Sequence, residues 1–305
     1  METLPMILQK STEYSNFKRR FKRSIFKKLT RKSLNVFLRG GDIISVDPLL
    51  EGAHEHALTK FIGNCAENGM SDFFIDVGAN IGLTSCQNGN GFKKVYCFEP
   101  NPLCVNILKT NLAISLSKGD FKIFDFALGD EDGEFDLYVP KYNWGGAFVK
   151  DGNDYADDVL GKKDGFEGIN SDNYILNTVK VKNSEVVFTD LFASIVEKNL
   201  HNGLIKIDVE GFERKVLLAI ANTVPSSMNV SIVFENWDPS FDLIEIKNAF
   251  KNRSVSLLKF KRSIYGTNKS KLRKYFEFIL FGEKTHLERI EGDETIIGDI
   301  VLMLK

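Results

Sequence analysis

Short apolar runs alternate with segments of helical spacing from residue 73 onward. The runs Phe73–Val77 and Lys94–Phe98 have the length of buried strands, and helical spacing follows each of them, from Ile81 and from Leu103. This alternation is typical of repeated β-α units whose strands form a parallel sheet. We therefore predict an α/β fold with a mostly parallel sheet and flanking helices.

Further apolar runs bring the predicted sheet to seven strands. Residues 121–127, 204–207 and 230–234 have the composition of buried strands. Two β-rich runs close to the C-terminus, 276–281 and 296–304, fit an antiparallel pair that closes one edge of the sheet. The whole pattern predicts one large domain.

Residues 140–177 show neither the helical nor the strand period. The segment is rich in Gly, Asp and Asn and includes Trp144-Gly145-Gly146. Long segments without secondary structure inside a domain are usually functional lids or disordered segments. We predict that this segment is a lid over the substrate.

The N-terminal region has an amphipathic pattern of its own. Residues 15–37 place apolar side chains four apart and surround them with Lys and Arg, within a stretch, 14–41, that has no Asp or Glu. Such a helix suits an anionic membrane surface, or else it packs its apolar stripe on the domain. We treat residues 1–48 as a basic extension and 49–305 as the domain. The stripe consists of Phe17, Phe21, Ile25 and Leu29.

The composition narrows the class of protein. The chain of 305 residues has a formal net charge of −1, and its four cysteines form no CxxC pair and no zinc-type spacing with His. It has no run of the roughly 20 apolar residues that a membrane span needs, and no apolar block with a cleavage site at its N-terminus. We expect a cytoplasmic protein with reduced thiols, peripheral on the inner membrane face if the basic extension binds lipid.

The most informative turn is Asp76-Val77-Gly78-Ala79-Asn80-Ile81-Gly82, where the first strand ends and a helix begins. Its glycines let the backbone approach a ligand, and the free N–H groups of the helix point into the crevice at the carboxyl edge of the sheet. About 20 residues later, Glu99 ends the second strand, where an acid accepts hydrogen bonds from both ribose hydroxyls of a nucleoside. The G-x-G-x-x-G register of a pyrophosphate binder is absent, which favours S-adenosylmethionine (SAM) as cofactor. Asp76 is then expected close to the positively charged end of SAM.

Four motifs, taken in order, resemble the FkbM-type family of methyltransferases. The resemblance covers residues 51 to 240 and implies a Rossmann-like class I methyltransferase domain with SAM as cofactor. It also implies O-methylation, in bacteria often of sugars in surface polysaccharide or lipopolysaccharide pathways and elsewhere of polyketides. The motifs are Ile75-Asp76-Val77-Gly78-Ala79-Asn80-Ile81-Gly82, Phe98-Glu99-Pro100, Ala127-Leu128-Gly129-Asp130 and Ile205-Lys206-Ile207-Asp208-Val209-Glu210-Gly211-Phe212-Glu213.

The same resemblance implies roles for individual residues in cofactor binding. Glu99 matches the ribose acid of the family, and Glu55 lies in a segment like the family's entry segment. Asp125 and Ala127 fall where related enzymes bind the adenine ring, although Asp130 is an alternative to Asp125. The residues that match the SAM turn are Asp76, Gly78, Asn80 and Gly82.

Asp208 and Glu210 end the fourth strand, at the edge where open α/β sheets place their chemistry. One of them could act as general base for the acceptor hydroxyl, or the pair could hold a divalent cation together with Glu235 and further oxygen from Asn236. They could also do no more than cap the following helix. His56 is an additional candidate for the base. The sequence leaves these interpretations open.

Aromatic residues near the predicted site are candidates for stacking on a sugar ring or for plain packing. A second acid-free span, 247–276, suits an acidic glycan or a lipid-linked diphosphate, or is a solvated surface. We expect a carbohydrate or glycoconjugate acceptor, with a polyketide-like molecule or RNA as alternatives. Nucleic acid is disfavoured because no motif for base amines is present. A different class, a SAM-fold module without catalysis that tethers partners to membrane, is the third hypothesis. The candidate acceptor-binding residues are Tyr142, Trp144, Asn236 and Trp237.

Overall fold

A computed structural model of the chain describes residues 16–116, 120–155, 159–160, 171–251, 253–264, 283–290 and 296–304. Strands and helices alternate along most of this length, as the apolar pattern predicts. The strands are β1 (Phe73–Val77), β2 (Lys94–Phe98), β3 (Phe121–Phe124), β4 (Ala127–Gly129), β5 (Gly133–Pro140), β6 (Phe148–Val149), β7 (Tyr174–Asn183), β8 (Asn202–Ile207), β9 (Asn229–Asn236), β10 (Val255–Ile264), β11 (Glu283–Arg289) and β12 (Gly298–Leu304). The helices are α1 (Asn16–Leu29), α2 (Val46–Leu50), α3 (His56–Glu67), α4 (Leu83–Asn88), α5 (Pro102–Ser115), α6 (Ser184–Glu197), α7 (Glu213–Thr223) and α8 (Leu243–Ala249).

An eight-stranded sheet forms the centre of the domain, in the order β11-β10-β12-β9-β8-β1-β2-β3. The strands β3, β2, β1, β8 and β9 run parallel to one another, whereas β12, β10 and β11 each pair antiparallel with their neighbours. This confirms the predicted α/β fold with a mostly parallel, Rossmann-like sheet, although the sheet has eight strands in place of seven. The chain leaves β1 towards β2 and later returns on its other side as β8. Open α/β sheets bind ligands in the crevice at such a reversal of strand order.

Two apolar clusters, one on each face, hold the sheet between its helices. Phe74 packs with side chains of α3 and α5, whereas Phe73 and Ile75 pack with Phe188 of α6 and Leu217 of α7. All five residues of β1 are buried, which explains why all of them except Asp76 are apolar. Each large side chain buried in this way contributes about 1.5–3 kcal/mol. The carboxyl ends of β1 and β8 are therefore held rigidly side by side.

A second sheet, in the order β4-β7-β5-β6, was not predicted. The single strand predicted at 121–127 is divided, because β3 ends at Phe124 in the central sheet and β4 begins at Ala127 in the second sheet. Strands β5 and β7 pair antiparallel from Gly133–Val181 to Pro140–Tyr174. The prediction that 140–177 is an irregular lid is thus wrong for its two ends and for β6. Its residues 156–158 and 161–170 lie outside the described part.

The C-terminal edge differs in detail from the prediction. Strand β12 confirms the run at 296–304, and it pairs antiparallel with β9 on one side and β10 on the other. Its predicted partner at 276–281 lies outside the described residues, as does part of the second basic span, residues 265–276. Within that span, Lys261 of β10 pairs with Glu288 of β11.

The N-terminal segment joins the domain before residue 49. Leu34 and Val36 pack against a cluster that contains Ile81, and the Asn111 side chain bonds both the N–H and the carbonyl of Phe37. Helix α1, by contrast, is exposed from Phe17 onward. The packed region therefore begins near Leu34, and only the preceding residues extend from it. In the part of the chain that the structure describes, no helix combines the length and apolarity required to cross a membrane.

The four cysteines lie inside the domain. Each is buried and none forms a disulfide. Burial raises the pKa of the Cys65 and Cys86 thiols to about 11 and raises those of Cys97 and Cys104 further. These thiols are therefore protonated and hard to reach at neutral pH.

Candidate cofactor and acceptor site

A cavity of about 710 Å³, including its mouth, lies beyond the carboxyl ends of β1, β2 and β8. We call it the cofactor cavity. The second sheet covers it, because Leu137 of β5, Phe148 of β6 and Val181 of β7 line the side opposite the turn after β1. Its lining also includes Gly78, Asn80, Glu99, Ala127, Asp208 and Glu210.

The turn after β1 brings the backbone against the neighbouring strand. Gly78 has φ +80°, and a Cβ at this position would lie 1.8 Å from the carbonyl oxygen of Asp208. The N–H groups of Gly78 and Ala79 both donate to the carbonyl of Phe98, 3.0 Å away. Asn80 also has a positive φ, which Asn tolerates better than most residues. The turn therefore needs glycine at position 78 and forms one wall of the cavity.

Glu99 is fixed at the cavity by two backbone hydrogen bonds. Its Oε2 accepts from the N–H of Asn80 at 2.7 Å, and its Oε1 accepts from the N–H of Asn101 at 2.8 Å. Each carboxylate oxygen keeps a second lone pair, so both can also accept from a hydroxyl. This arrangement fits the two vicinal hydroxyls of a nucleoside ribose, and the glycine turn lies beside it in the lining of the cavity. The residues present therefore fit SAM.

Burial raises the pKa of Glu99 to about 7, against the effect of its two backbone hydrogen bonds. A raised pKa means that the folded protein binds this proton more tightly than the unfolded chain. This proton stabilises the folded state fully at pH values below the pKa that Glu99 has in the unfolded chain. The stabilisation is lost as the pH rises through about 7.

We expect the protein without cofactor to lose up to about 3 kcal/mol of unfolding free energy between pH 5 and pH 8 through Glu99. Urea unfolding at several pH values measures this loss. Glu99→Gln should have a flatter dependence, because glutamine does not titrate. An equally steep dependence in the variant would show that other groups cause it.

Asp76 does not line the cavity, in contrast to the prediction that it lies near the positive end of SAM. Its side chain is fully buried beneath the turn, where Oδ2 accepts from the hydroxyl of Ser85 at 2.6 Å. Its Oδ1 lies 3.6 Å from Nζ of Lys206. Strand alternation points Asp76 into the packed face, so it supports the site from below.

Lys206 connects β8 to the glycine turn. Its Nζ donates to Oδ2 of Asp208 at 2.9 Å and to the carbonyl of Gly78 at 3.4 Å. Burial opposes the charge, but the carboxylates of Asp208, Asp76 and Glu55 together raise the pKa of Lys206. Lys206 is therefore an ammonium ion, and one carboxylate oxygen of Asp208 accepts a hydrogen bond from it.

A second cavity, of about 740 Å³, adjoins the first and shares with it Gly78, Asn80, Gly145, Asp208 and Glu210. We call it the acceptor cavity. A substrate there would lie next to the end of the cofactor that approaches the shared wall. The further polar and charged residues of its lining are His54, Glu55, Thr84, Asn143, Lys206 and Glu235.

Asp208, Glu210 and Glu235 all line the acceptor cavity, as predicted for catalytic carboxylates. They are not arranged as a metal site, since no group of three His, Cys, Asp or Glu side chains suited to a metal ion occurs within the described ranges. At the start of α7, other residues occupy the capping positions. Phe212 is the N-cap residue and makes no side-chain cap, whereas Glu213 accepts from the N–H of Gly211.

His54 is a site residue that the sequence analysis did not select. Its Nε2 lies 3.7 Å from Oε2 of Glu55, and its backbone N–H donates to the Gln87 side chain. Burial and then the charge of Lys206 lower the pKa of His54 to about 4. Burial also raises the pKa of Glu55 to about 8. The imidazole is therefore uncharged at neutral pH and retains a nitrogen lone pair.

Two neighbours of His54 are placed differently from the predictions. Glu55, predicted to bind the cofactor, lines the acceptor cavity and not the cofactor cavity. His56, the candidate alternative base, lies on the surface outside both cavities and pairs with Glu51 at 2.9 Å. His54 could have been identified as a site residue from the sequence, because it lies beside Glu55 in the segment that resembles the family's entry segment.

Of the four predicted acceptor-binding residues, one lines either the cofactor cavity or the acceptor cavity. Trp144 contacts the cofactor cavity, with Arg39 4.2 Å above its ring. Tyr142 is 73% exposed and borders a groove on the outer surface. The buried amide of Asn236 bonds the carbonyls of Asp238 and Ile296, which is a structural role. Trp237 lies outside both cavities, and its backbone N–H donates to the hydroxyl of Tyr155.

The predicted adenine-binding pair is divided. Ala127 lines the cofactor cavity together with Phe126, as expected for this end of the site. Asp125 and the alternative Asp130 are exposed and are absent from the lining. The chain leaves the central sheet after Phe124, and this turns the Asp125 side chain outward.

Comparisons with known proteins agree with this architecture. The model of the methyltransferase FkbM domain matches residues 76–260. The methyltransferase sdnD of Sordaria araneosa is 28% identical over 177 residues, which cover 55% of this chain and 67% of that protein.

Two solved structures illustrate how distant the structural relatives are. The O-methyltransferase from Bacillus cereus in complex with SAH has a TM-score of 0.39 and 9% identity, and covers 96% of this chain and 92% of its own. Precorrin-6y C5,15-methyltransferase from Geobacter metallireducens has a TM-score of 0.37 and 10% identity, and the match covers 80% of this chain and 87% of that one. The family model, by contrast, spans the glycine turn, the ribose acid and the carboxylates of the shared wall. Because it covers more than half of the chain, this protein belongs to the FkbM family of SAM-dependent methyltransferases.

Proposed function

We propose that this protein is an O-methyltransferase that transfers the methyl group of SAM to a hydroxyl of a saccharide or glycoconjugate precursor. The observation that carries the proposal is the acceptor cavity, in which an uncharged His54 lies among carboxylates directly beside the cofactor cavity. Carboxylates accept hydrogen bonds from hydroxyl groups, and a neutral imidazole accepts the proton that a hydroxyl loses.

The charges of the acceptor cavity support a neutral, hydroxyl-rich acceptor. Four carboxyl side chains line it, whereas its one lysine, Lys206, is bonded to Asp208. A phosphate or carboxylate on the acceptor would be repelled by this lining. A sugar ring instead offers several hydroxyl donors to Glu210, Glu235 and Glu55.

SAM supplies a methyl group on a positively charged sulfur, which is a good leaving group. The chain has to orient the acceptor oxygen towards that methyl group, exclude water and accept one proton. We assign the proton to His54, because Asp208 already accepts a hydrogen bond from Lys206, whereas the uncharged imidazole retains a nitrogen lone pair. The carboxylate of Asp208 then stabilises the imidazolium that forms.

His54→Gln should lower kcat about a hundredfold and leave the Kd of SAM unchanged, because the side chain contributes to the acceptor cavity alone. Stopped assays with radiolabelled SAM measure kcat, and calorimetry measures the Kd. The control is His56→Gln, two residues away on the surface, which should retain full activity. Equal rates in the two variants would refute the assignment of His54.

The acceptor class is tested by methyl transfer from labelled SAM to a panel of neutral methyl glycosides, the corresponding uronic acids, a polyketide alcohol and mixed RNA. We expect transfer to neutral glycosides, with mass spectrometry locating one new methyl ether. Transfer confined to RNA or to the polyketide would refute the saccharide proposal. Binding of SAM with no transfer to any acceptor would favour a module without catalysis.

A further inference from the structure

Helix α1 carries an apolar stripe that the domain does not cover. Every side chain from Phe17 to Leu29 is exposed, and Phe17 retains 79% of its accessible surface. The rings of Phe17 and Phe21 stack on each other at 6.4 Å. The sequence analysis allowed this segment either to bind a membrane or to pack on the domain. The described residues do not show it packed on the domain.

The charge of α1 is entirely of one sign. Seven of its 14 residues are Lys or Arg, and none is acidic. An isolated helix of this length is marginal in water, and repulsion between cations weakens it further. A surface that neutralises the cations and buries the stripe would stabilise the helix.

A second exposed apolar patch lies next to the end of α1. Ile43, Val46 and Leu50 are exposed, and Ile43 retains 69% of its surface. This patch is fixed near α1 because the N–H of Leu34 donates to the carbonyl of Pro48 at 2.8 Å. Ile44, between the exposed residues, lines the acceptor cavity. The patch at 43–50 therefore reaches the border of that cavity.

We propose that α1 and the patch at 43–50 dock this protein on an anionic lipid bilayer, with the acceptor cavity held beside the membrane surface. Cations on a helix with Phe and Leu are the pattern by which helices lie in the headgroup region of anionic membranes. The long stems of the lysines let their charges reach the headgroups while the stripe is buried. Exposed aliphatic residues such as Ile43 and Leu50 gain from hydrocarbon contact, whereas nucleic acid offers them no comparable partner.

The test uses the full chain and vesicles of phosphatidylglycerol and phosphatidylcholine, with pure phosphatidylcholine vesicles as the reference. We expect retention on the anionic vesicles alone, weakened by high salt. Changing Phe17→Ser, Phe21→Ser and Ile25→Ser together should weaken retention at least tenfold, since three buried apolar side chains are lost. Circular dichroism should show added helix on binding in the original chain.

The matched control is Val186→Ser, an exposed apolar residue at the start of α6 on the other face of the sheet, which should bind vesicles normally. The SAM affinity of every variant should be unchanged, so the test is independent of the proposed reaction. Equal retention on neutral and anionic vesicles, or no effect of the triple change, would overturn the proposal. Binding of labelled RNA without vesicle retention would do the same and would assign α1 to nucleic acid.

Discussion

Gly78→Val is expected to weaken SAM binding more than a thousandfold and to lower stability by several kcal/mol. The position has φ +80°, and a Cβ there would lie 1.8 Å from the carbonyl oxygen of Asp208. Neither backbone can move away easily, because β1 and β8 are paired and buried on both faces. The variant must therefore separate the two strand ends that form the floor of the cofactor cavity.

Calorimetry with SAM and urea unfolding measure the two effects of this change. The control is Gly63→Ala within α3, where a Cβ meets no atom within 4 Å and φ is not positive. This control should bind SAM normally and gain up to about 1 kcal/mol, because alanine favours helix over glycine. A Gly78→Val variant that binds SAM like the original chain would refute the assigned role of the turn.

Glu99→Ala should weaken SAM binding between about a hundredfold and a thousandfold. The change removes the carboxylate that we assign to both ribose hydroxyls, and hydrogen bonds to a charged group contribute about 1.5–3 kcal/mol each. It also leaves the N–H groups of Asn80 and Asn101 without their carboxylate partner. Equilibrium titration with SAM measures the loss.

Two further variants sharpen the test of Glu99. Glu99→Gln keeps one acceptor oxygen and should bind SAM with an affinity between those of the alanine variant and the original chain. Glu134→Gln, on an exposed position of β5, should have no effect. A comparison of adenosine with 2′-deoxyadenosine as competitors should show a preference for adenosine that disappears in Glu99→Ala. A preference that persists would place the ribose elsewhere.

The strands of the central sheet could be predicted because each is recognisable from its own consecutive residues. Strands β1 and β2 are buried on both faces, so each appears in the sequence as a short run that is apolar at all but one position. Strand β5 is half-buried and pairs with β7, which lies beyond the long segment that follows it. Only that distant pairing makes it a strand of the second sheet. The roof of the cofactor cavity therefore could not be found from the local pattern.

Asp76 and Glu99 show the same limit at the site. Both are acids at or near the end of a parallel strand, and the sequence assigns both to the cofactor. Glu99 lies one residue past the end of β2 and faces the cavity. Asp76 lies within β1 and faces the packed side, where its partner Lys206 comes from a strand far along the chain. The position of each acid relative to the end of its strand therefore decides whether its side chain faces the cavity or the packed side.

The burial of all four thiols has a practical benefit for spectroscopy. A cysteine introduced on the exposed face of α1, for example in place of Ser24, would be the one readily modified thiol, because the native four are buried and protonated. A nitroxide attached there would report its depth in a bilayer through relaxation by oxygen or by a nickel chelate. The native cysteines therefore do not have to be replaced before the new cysteine is labelled.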